Sequence, residues 1–456
     1  IKINLKAIVD HQFQLKQASV NGHVSIASLS AARASLESLD IDLATHYQAT
    51  SGDFNGELTT DLRLKDIEPS TAASVKRLVA TQRSQFNGRL SADYQALKLY
   101  TKDQLAIRLL DSLYQDEMLN AKIPELSLFA STRNDILGQR FQLTALNITS
   151  LPLFDFQATA DFSLEPQRYQ LSSQLNYLNL QGFRSLFAPN WLALNGLDTL
   201  QGNIGLVAKS AGQLPTTKQI QQHQFPLSAS AQLVFKDIAV AAANQAITGM
   251  NGDINVAYQP EGRVAALNTD IHIGRIDLQD NLPLKTLMGG MLKTEIQLTD
   301  FNALRIDQFM AGVEGLSVST KGELSGFNSL LEPSPALATP PLSNQPTPID
   351  LATLLPTLFA KLTTDIELEL PAFRPLFEKL GWFVDGSSSL RLEASKREAG
   401  PLDLQLIVDT EHIHLRNGDT ELENLSGGFM LRKHLDWQQP NKGVSVAFSP
   451  SDIINQ

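Results

Sequence analysis

The sequence predicts a mainly β protein: a long, curved antiparallel sheet that forms an elongated open groove and carries a few amphipathic helices. Apolar and polar residues alternate along most of the chain, as they do where successive strand side chains point to opposite faces. Many of these runs reach roughly 10–15 residues, against a usual strand of about five or six. Long strands with one polar face are typical of antiparallel sheet rather than of a parallel α/β core.

The clearest predicted strand pair spans residues 246–278. Two alternating runs flank Gln-Pro-Glu-Gly at 259–262, a sequence that suits a turn because Pro presets φ and Gly tolerates a left-handed backbone. The segment therefore predicts one long hairpin with an apolar and a polar face. The apolar face of this hairpin would carry Ile254, Val256, Tyr258, Ile271 and Ile273.

The same alternation recurs on both sides of this hairpin, and we predict that its apolar residues line the groove. These further candidate lining residues are Leu39, Ile41, Leu43, Leu58, Leu62, Leu64, Phe154, Phe156, Phe162, Leu233, Phe235, Ile366, Leu368 and Leu370.

Four short segments predict helices that interrupt the strands: residues 70–82, 101–119, 349–362 and 373–384. Ser70 follows a proline and suits an N-cap, and 101–119 has a broad apolar stripe at helical spacing. Their apolar stripes are expected to pack on the sheet.

Residues 332–348 are rich in Pro, Ser and Thr, which favours an extended linker over a helix or a strand. We therefore predict a groove segment over 1–331, a linker or loop insertion over 332–348, and a continuation of the groove over 349–456.

Composition excludes several classes of function. The chain of 456 residues has a formal net charge of −11 and no clustered basic residues, so nucleic acid is not an expected partner. It has no cysteine, which rules out disulfides, thiolate metal sites and cysteine nucleophiles. No apolar run approaches the roughly 18 residues of a membrane-spanning helix. The chain opens on Ile1, and we interpret it as a piece of a longer protein.

Catalytic motifs are absent from the sequence. It contains no phosphate-binding loop, no nucleophile elbow, no zinc-protease motif and no dinucleotide fingerprint. His412 and His414 share one side of a predicted strand, but no third metal ligand accompanies them, so we expect exposed histidines. The sequence therefore predicts no cofactor, no metal site and no catalytic residue.

What covers the apolar face is the question that the pattern leaves open. A second sheet would cover it in a sandwich, and successive coils would cover it in a solenoid. In an open sheet it would remain accessible to an apolar ligand, because exposed apolar surfaces commonly mark binding sites. Long strands and few covering helices favour the open sheet.

Three stretches add a resemblance: "VSTKGELSGF" (318–327), "ITGMNGDINV" (247–256) and "LENLSGGFMLR" (422–432). Their sequence pattern resembles that of AsmA-like bacterial envelope proteins. This group includes TamB and YdbH and is similar in architecture to bridge-like lipid carriers. The resemblance implies a β-groove in the periplasm, anchored in the inner membrane by a helix outside this piece. It implies phospholipid as the ligand, with an outer-membrane protein or lipoprotein as a further partner.

Two hypotheses of different classes follow for function. The first is a non-enzymatic segment that carries phospholipid acyl chains along the groove between inner and outer membranes. The second is a structural or assembly scaffold of the envelope, built from closed β-sandwich modules, that contacts partners through sheet edges. An enzyme acting on glycan or lipid is a third and weaker hypothesis, since no polar residues gather into a pocket-like pattern.

Overall fold

The computed structural model describes most of the chain. The described residues are 1–9, 12, 15–91, 95–194, 196–221, 225–242, 245–278, 285–326, 359–397, 400–435 and 447–450. Strands account for 79% of them and helices for 6%, so the predicted mainly β class is confirmed.

The chain divides into two units, Ile1–Phe235 and Lys236–Gln456. We refer to them as the N-terminal unit and the C-terminal unit, and the division falls inside one strand, Leu227–Ala242.

Thirteen strands begin in the N-terminal unit. They are β1 (Lys2–Val9), β2 (Leu15–Ile26), β3 (Leu29–Ala31), β4 (Ala34–Gln48), β5 (Asp53–Ser70), β6 (Ala73–Leu90), β7 (Ala96–Gln115), β8 (Asn120–Asp135), β9 (Arg140–Ser150), β10 (Phe154–Ser163), β11 (Arg168–Asn179), β12 (Leu197–Gln213) and β13 (Leu227–Ala242).

Ten more strands follow in the C-terminal unit. They are β14 (Gln245–Gln259), β15 (Val264–Asp277), β16 (Thr286–Thr299), β17 (Ala303–Val313), β18 (Leu316–Ser325), β19 (Phe359–Glu369), β20 (Phe383–Lys396), β21 (Leu402–Asn417), β22 (Thr420–Leu435) and β23 (Ala447–Pro450).

Strand pairing follows chain order and is antiparallel. Each strand from β4 to β11 pairs with the next along the chain, as does each from β14 to β22. At the start of the chain β2 and β3 pair with successive parts of β4, and β1 pairs with β2. In each unit the sheet is open, as predicted.

The helices that the structure describes are short and lie between strands. They are α1 (Leu180–Arg184), α2 (Pro189–Leu194), α3 (Thr217–Gln221), a 3₁₀ helix (Leu370–Phe373) and α4 (Arg374–Glu378).

Two of these helices arise from local signals that our sequence prediction missed. The side chain of Asn179 accepts a hydrogen bond from the Gly182 N–H at 3.0 Å and so begins α1 as an N-cap. Pro189 is the first residue of α2, where a missing N–H costs nothing.

The helices predicted at 70–82 and 101–119 are wrong, because both segments are strands. Ser70 ends β5, and its Oγ accepts the Ala72 N–H at 3.2 Å across the turn into β6. Residues 101–115 belong to β7, a strand of 20 residues. Leu105, Ile107 and Leu109 fit period two as well as a helical stripe, and hydrogen bonding to β6 and β8 decides between them.

The helix predicted at 373–384 is largely wrong. The observed helical residues end at Glu378, and β20 already begins at Phe383. Gly381 has φ +80°, a left-handed backbone that ends a helix readily. Of the segment predicted as a helix at 349–362, residues 359–362 belong to β19, and the remainder lies outside the described residues.

The predicted Pro-rich linker at 332–348 also lies outside the described residues. The strands on either side of it, β18 and β19, are direct neighbours, with Val318 opposite Ile366 and Leu316 opposite Leu368. The segment that contains the linker therefore connects two paired strands of the C-terminal unit.

The predicted hairpin at 246–278 is confirmed as β14 and β15. The two strands approach closely at Gly252, which has φ +138°. A Cβ built there would lie 1.9 Å from the Asp270 carbonyl oxygen on the opposite strand. Only glycine permits this approach between the two backbones.

We expect Gly252→Ala to destabilise the protein by about 3 kcal/mol or more, because the clash is with backbone that cannot rotate away. Gly418→Ala is the matched control, since Gly418 also has a positive φ (+58°) but no atom within 4 Å of its would-be Cβ. That control should cost only about 1–2 kcal/mol of backbone strain. Urea unfolding followed by circular dichroism measures both, and equal losses would contradict the interpretation.

Candidate functional site

The strand register aligns apolar side chains in one row across the N-terminal unit. Directly opposed residues of antiparallel strands share a face, so a chain of partners traces one side of the sheet. The row runs Ile26, Leu39, Leu62, Ala80, Ile107, Leu128, Ile148, Phe156, Leu175 and Leu206. This side of the sheet is called the apolar face, and the opposite side the polar face.

The predicted lining residues of β4, β5 and β10 all lie on this apolar face. Leu43 is opposite Leu58, and Leu64 on β5 shares the side of Leu62. Phe162 lies opposite Phe141, and Phe154 has the same parity as Phe156. Ile41 lies between Leu39 and Leu43 at the same parity.

Leu233 and Phe235 on β13 continue the apolar face. A Cβ at Gly205 of β12 would lie 3.9 Å from the Val234 Cβ, and Ser228 Oγ donates to the Ala211 carbonyl at 3.2 Å. This alignment sets Leu233 opposite Leu206, the last residue of the apolar row.

The C-terminal unit has an apolar face of its own, built in the same way. The central row is Ile271, Leu292, Ala311, Val318, Ile366, Leu390, Val408 and Phe429. The predicted lining residues Ile254, Val256, Tyr258, Ile273 and Leu368 share this side by register and parity.

Leu370 is the one predicted lining residue that the structure places elsewhere. It begins the 3₁₀ helix Leu370–Phe373 instead of extending β19, so its assignment to the lining is wrong. Pro371 follows it and lacks the N–H that a strand ladder would use.

Large apolar side chains on both apolar faces remain exposed. Leu171 is 48% exposed in the N-terminal unit, and Val256, Leu392 and Phe429 are 48%, 43% and 46% exposed in the C-terminal unit. Among the described residues, seven apolar side chains are buried, and none of them belongs to the two central rows. A second sheet packed on these rows would bury them, so no such layer is present in the described part of the chain.

Three of these buried side chains lie near the helices. Leu180 of α1 and Leu192 of α2 are buried, as is Leu153 in the turn before β10. The ring of Phe187 stacks on Trp191 with centroids 4.8 Å apart. These contacts form a small local core among the turns that connect the strands.

Hydroxyl groups that interrupt the apolar face of the C-terminal unit bond to one another. Thr269 and Thr294 are opposed and buried, with their Oγ1 atoms 3.0 Å apart. Thr320 and Thr364 repeat the arrangement at 3.1 Å. In each pair one threonine hydroxyl hydrogen-bonds to the other, so neither hydroxyl needs a water molecule as its partner.

We expect Thr269→Val to destabilise the protein by about 1–3 kcal/mol, because it leaves the buried Thr294 hydroxyl without its partner. The double variant Thr269→Val/Thr294→Val removes both hydroxyls and should recover most of that loss. Chemical denaturation of the single and double variants tests the coupling. Additive losses in the double variant would show that the hydroxyls do not depend on each other.

The polar faces carry cross-strand ion pairs. Arg89 Nε lies 2.9 Å from Asp53 Oδ1 on the neighbouring strand, and Arg391 Nε lies 2.7 Å from Asp365 Oδ1. Arg140 Nε donates to Asp161 Oδ1 at 3.1 Å. This hydrogen bond from Arg140 lowers the pKa of Asp161 below its ordinary value of 3.8.

Because the pKa of Asp161 is lowered in the folded protein, its pairing adds stability above pH 3.8 that is lost as the pH falls through the folded pKa. We expect Arg140→Gln to raise the pKa of Asp161 toward 3.8, measured by carboxyl ¹³C NMR titration. Arg305→Gln, which breaks the separate pair with Asp307, should leave the Asp161 titration unchanged. An unaltered Asp161 pKa in Arg140→Gln would contradict the assigned cause.

Open depressions also lie on the polar face of the N-terminal unit. One of about 510 Å³ is lined mainly by polar residues of β4–β7, including Asp40, Asp61 and Arg83. Arg83 is paired with Glu57. The described residues around this depression form no nucleophile–base arrangement that could perform acid–base chemistry.

The two histidines considered as metal ligands do not converge. His412 Nδ1 lies 2.6 Å from Asn424 Oδ1, whereas His414 Nε2 lies 2.8 Å from Glu421 Oε1. Ligand atoms of His414, Glu421 and Glu423 come within 4.8 Å of one another, which is the one combination that could hold a cation in the described residues.

Two guanidinium groups lie beside that combination. Arg374 and Arg416 approach the Phe383 ring at 4.8 and 5.3 Å, and the His414 ring contacts the same phenyl group at 5.3 Å. Positive charge so close disfavours a further cation.

Comparison with known proteins provides no relative for this chain: no family model, no curated protein and no solved structure matches it. None of the described helices combines the length and hydropathy needed to cross a bilayer.

Proposed function

We propose that the chain is a non-enzymatic lipid-binding segment whose apolar faces hold the acyl chains of phospholipid. The observation that supports this most directly is the exposure of large aliphatic and aromatic side chains aligned on one side of each sheet. Large contiguous apolar patches exposed on soluble proteins commonly mark binding sites.

The energetics favour acyl chains as the occupant. Each methylene group transferred from water onto the apolar face is worth about 0.8 kcal/mol, so one chain can be held without a specific polar contact. The lining of Leu, Ile, Val and Phe offers no directional bond, and a chain could slide along it. Headgroups would remain at the margins, where solvent reaches them.

The wider setting is part of the same proposal. Each apolar face would line a groove segment, and the protein would pass phospholipid between the inner and outer membranes of a bacterial envelope. The protein would work in the periplasm, with an inner-membrane anchor beyond this piece and an outer-membrane protein or lipoprotein as a partner. The resemblance to AsmA-like proteins motivates this setting.

A scaffold is the second candidate, favoured by the free edge of β1. All eight residues of β1 are exposed, and among the described strands it pairs only with β2. An unpaired edge can accept a strand from another protein. On this alternative a partner protein, not lipid, would cover the apolar face.

We expect the chain, purified from bacteria without detergent, to carry phospholipid that native mass spectrometry and lipid extraction detect. Leu62→Glu and Ile271→Glu place a charge on the two central rows and should lower lipid occupancy about tenfold or more. The matched controls, Asn55→Glu and Asn268→Glu, add the same charge on the polar faces of the same strands. They should leave occupancy unchanged.

Circular dichroism must first show that each variant is folded. A folded, lipid-free wild-type protein would overturn the proposal and favour the scaffold. Equal loss in the row variants and their controls would mean that net charge, not the apolar face, governs lipid binding.

A further inference from the structure

One polar cluster interrupts the apolar face of the N-terminal unit. Its members lie on β6, β7 and β8 and share the side of Leu58 and Ile107 by register. We call it the polar island, and it consists of Gln82, Ser84, Thr101, Asp103, Thr132 and Asn134.

Asp103 is the only charged member of the polar island. Ser84 is opposite Asp103 on β6, and Thr132 is opposite it on β8. The side chain is half-buried, and among the described residues no basic group forms an ion pair with it. A carboxylate with no ion-pair partner attracts a cationic ligand by charge complementarity.

The hydrogen bonds of the island leave one carboxylate oxygen available. Thr101 Oγ1 donates to Asp103 Oδ2 at 3.2 Å, and Thr132 Oγ1 donates to the same oxygen at 3.4 Å. Asn134 Nδ2 in turn donates to Thr101 Oγ1 at 3.1 Å. Within the described residues Oδ1 accepts no hydrogen bond. The network thus orients the carboxylate and leaves Oδ1 free for a ligand.

Apolar surface extends on both sides of the island. On one side of the island, Leu58 of β5 lies opposite Ser84, and Leu43 of β4 lies opposite Leu58. On the other side, past Thr132 of β8 and across β9, lie Ala160 of β10 and Leu171 of β11. Leu105, the next residue of β7 on this face, is 36% exposed. A ligand bound to Oδ1 would therefore have apolar surface beside it for a hydrocarbon chain.

We propose that the polar island selects amphiphiles with an ammonium headgroup, which donates to Asp103 Oδ1 while the acyl chains lie on the apolar face. This inference rests on the proposed lipid-binding function. An ammonium group fits better than a divalent metal ion, because calcium takes six to eight oxygen ligands and usually several carboxylates, and the island has one. Charge complementarity identifies the occupant, since an anionic headgroup would meet the carboxylate of Asp103.

The test loads the intact chain with an equimolar mixture of phosphatidylethanolamine and phosphatidylglycerol that have identical acyl chains, and measures the bound ratio by native mass spectrometry. The wild type should favour phosphatidylethanolamine roughly three- to tenfold, the range expected of one partly exposed ion pair. Asp103→Asn keeps an acceptor for the threonines but removes the charge. It should lose the preference while total lipid stays the same.

Asp61→Asn is the matched control. This variant also removes one negative charge, but Asp61 lies on the polar face of β5, where its carboxylate pairs with Arg63 at 3.3 Å. It should keep the wild-type ratio, and a loss of preference equal to that of Asp103→Asn would show that net charge alone sets the ratio.

The remaining outcomes separate this inference from the proposed function. Equal binding of both lipids by the wild type, or a preference that persists in Asp103→Asn, overturns the headgroup inference and leaves lipid binding intact. Absence of both lipids overturns lipid binding itself. Free ethanolamine should not displace bound lipid, and displacement at equal concentration would show a small-amine site instead.

Discussion

Backbone hydrogen bonding between neighbouring strands holds this protein together and decides which side chains meet. Each pairing fixes the partner of every residue, and partners share a face. Ten strands of the N-terminal unit are in register such that an apolar residue meets another at every step from Ile26 to Leu206. A shift of one residue at any step would place the following residues on the polar side.

The source of stability in an open sheet of this kind differs from that in a sandwich. In the part of the chain that the structure describes, no second layer covers the central rows, so apolar contact is made mainly between neighbouring strands. Among the described residues few apolar side chains are buried, and three of them, Leu153, Leu180 and Leu192, lie near the helices. The same lack of a covering layer that limits hydrophobic stabilisation leaves the apolar faces accessible, and the proposed function depends on that access.

Polar groups on the apolar faces form hydrogen bonds in two different arrangements. In the C-terminal unit Thr269 and Thr294 satisfy each other and are buried. In the N-terminal unit Thr101 and Thr132 both donate to one oxygen of Asp103, which leaves the other oxygen without a donor in the described residues. The first arrangement is complete within the sheet, whereas the second has a vacant acceptor. That difference is why a ligand headgroup is assigned to the second.

Sequence reasoning succeeded where the signal is local and periodic. The alternation around Ile254 and Ile271 predicted both strands of their hairpin and the shared side of their apolar residues, and the structure confirms them. It failed at residues 101–119, because Leu105 and Leu109 fit a helix and a strand equally well. It also missed α1, whose main signal is a single capping residue, Asn179, among strand-like neighbours.

The sequence by itself determined that the chain is mainly β and which residues within a strand share a side, since period two is a property of the extended backbone alone. Only the tertiary structure decided which strands are neighbours and in what register. Bulges such as the one between Ser131 and Thr132 change the register by steps that no local pattern predicts. For that reason Asp103, which the sequence pattern placed near the start of the wrongly predicted helix at 101–119, emerged as part of the polar island only once three strands were paired.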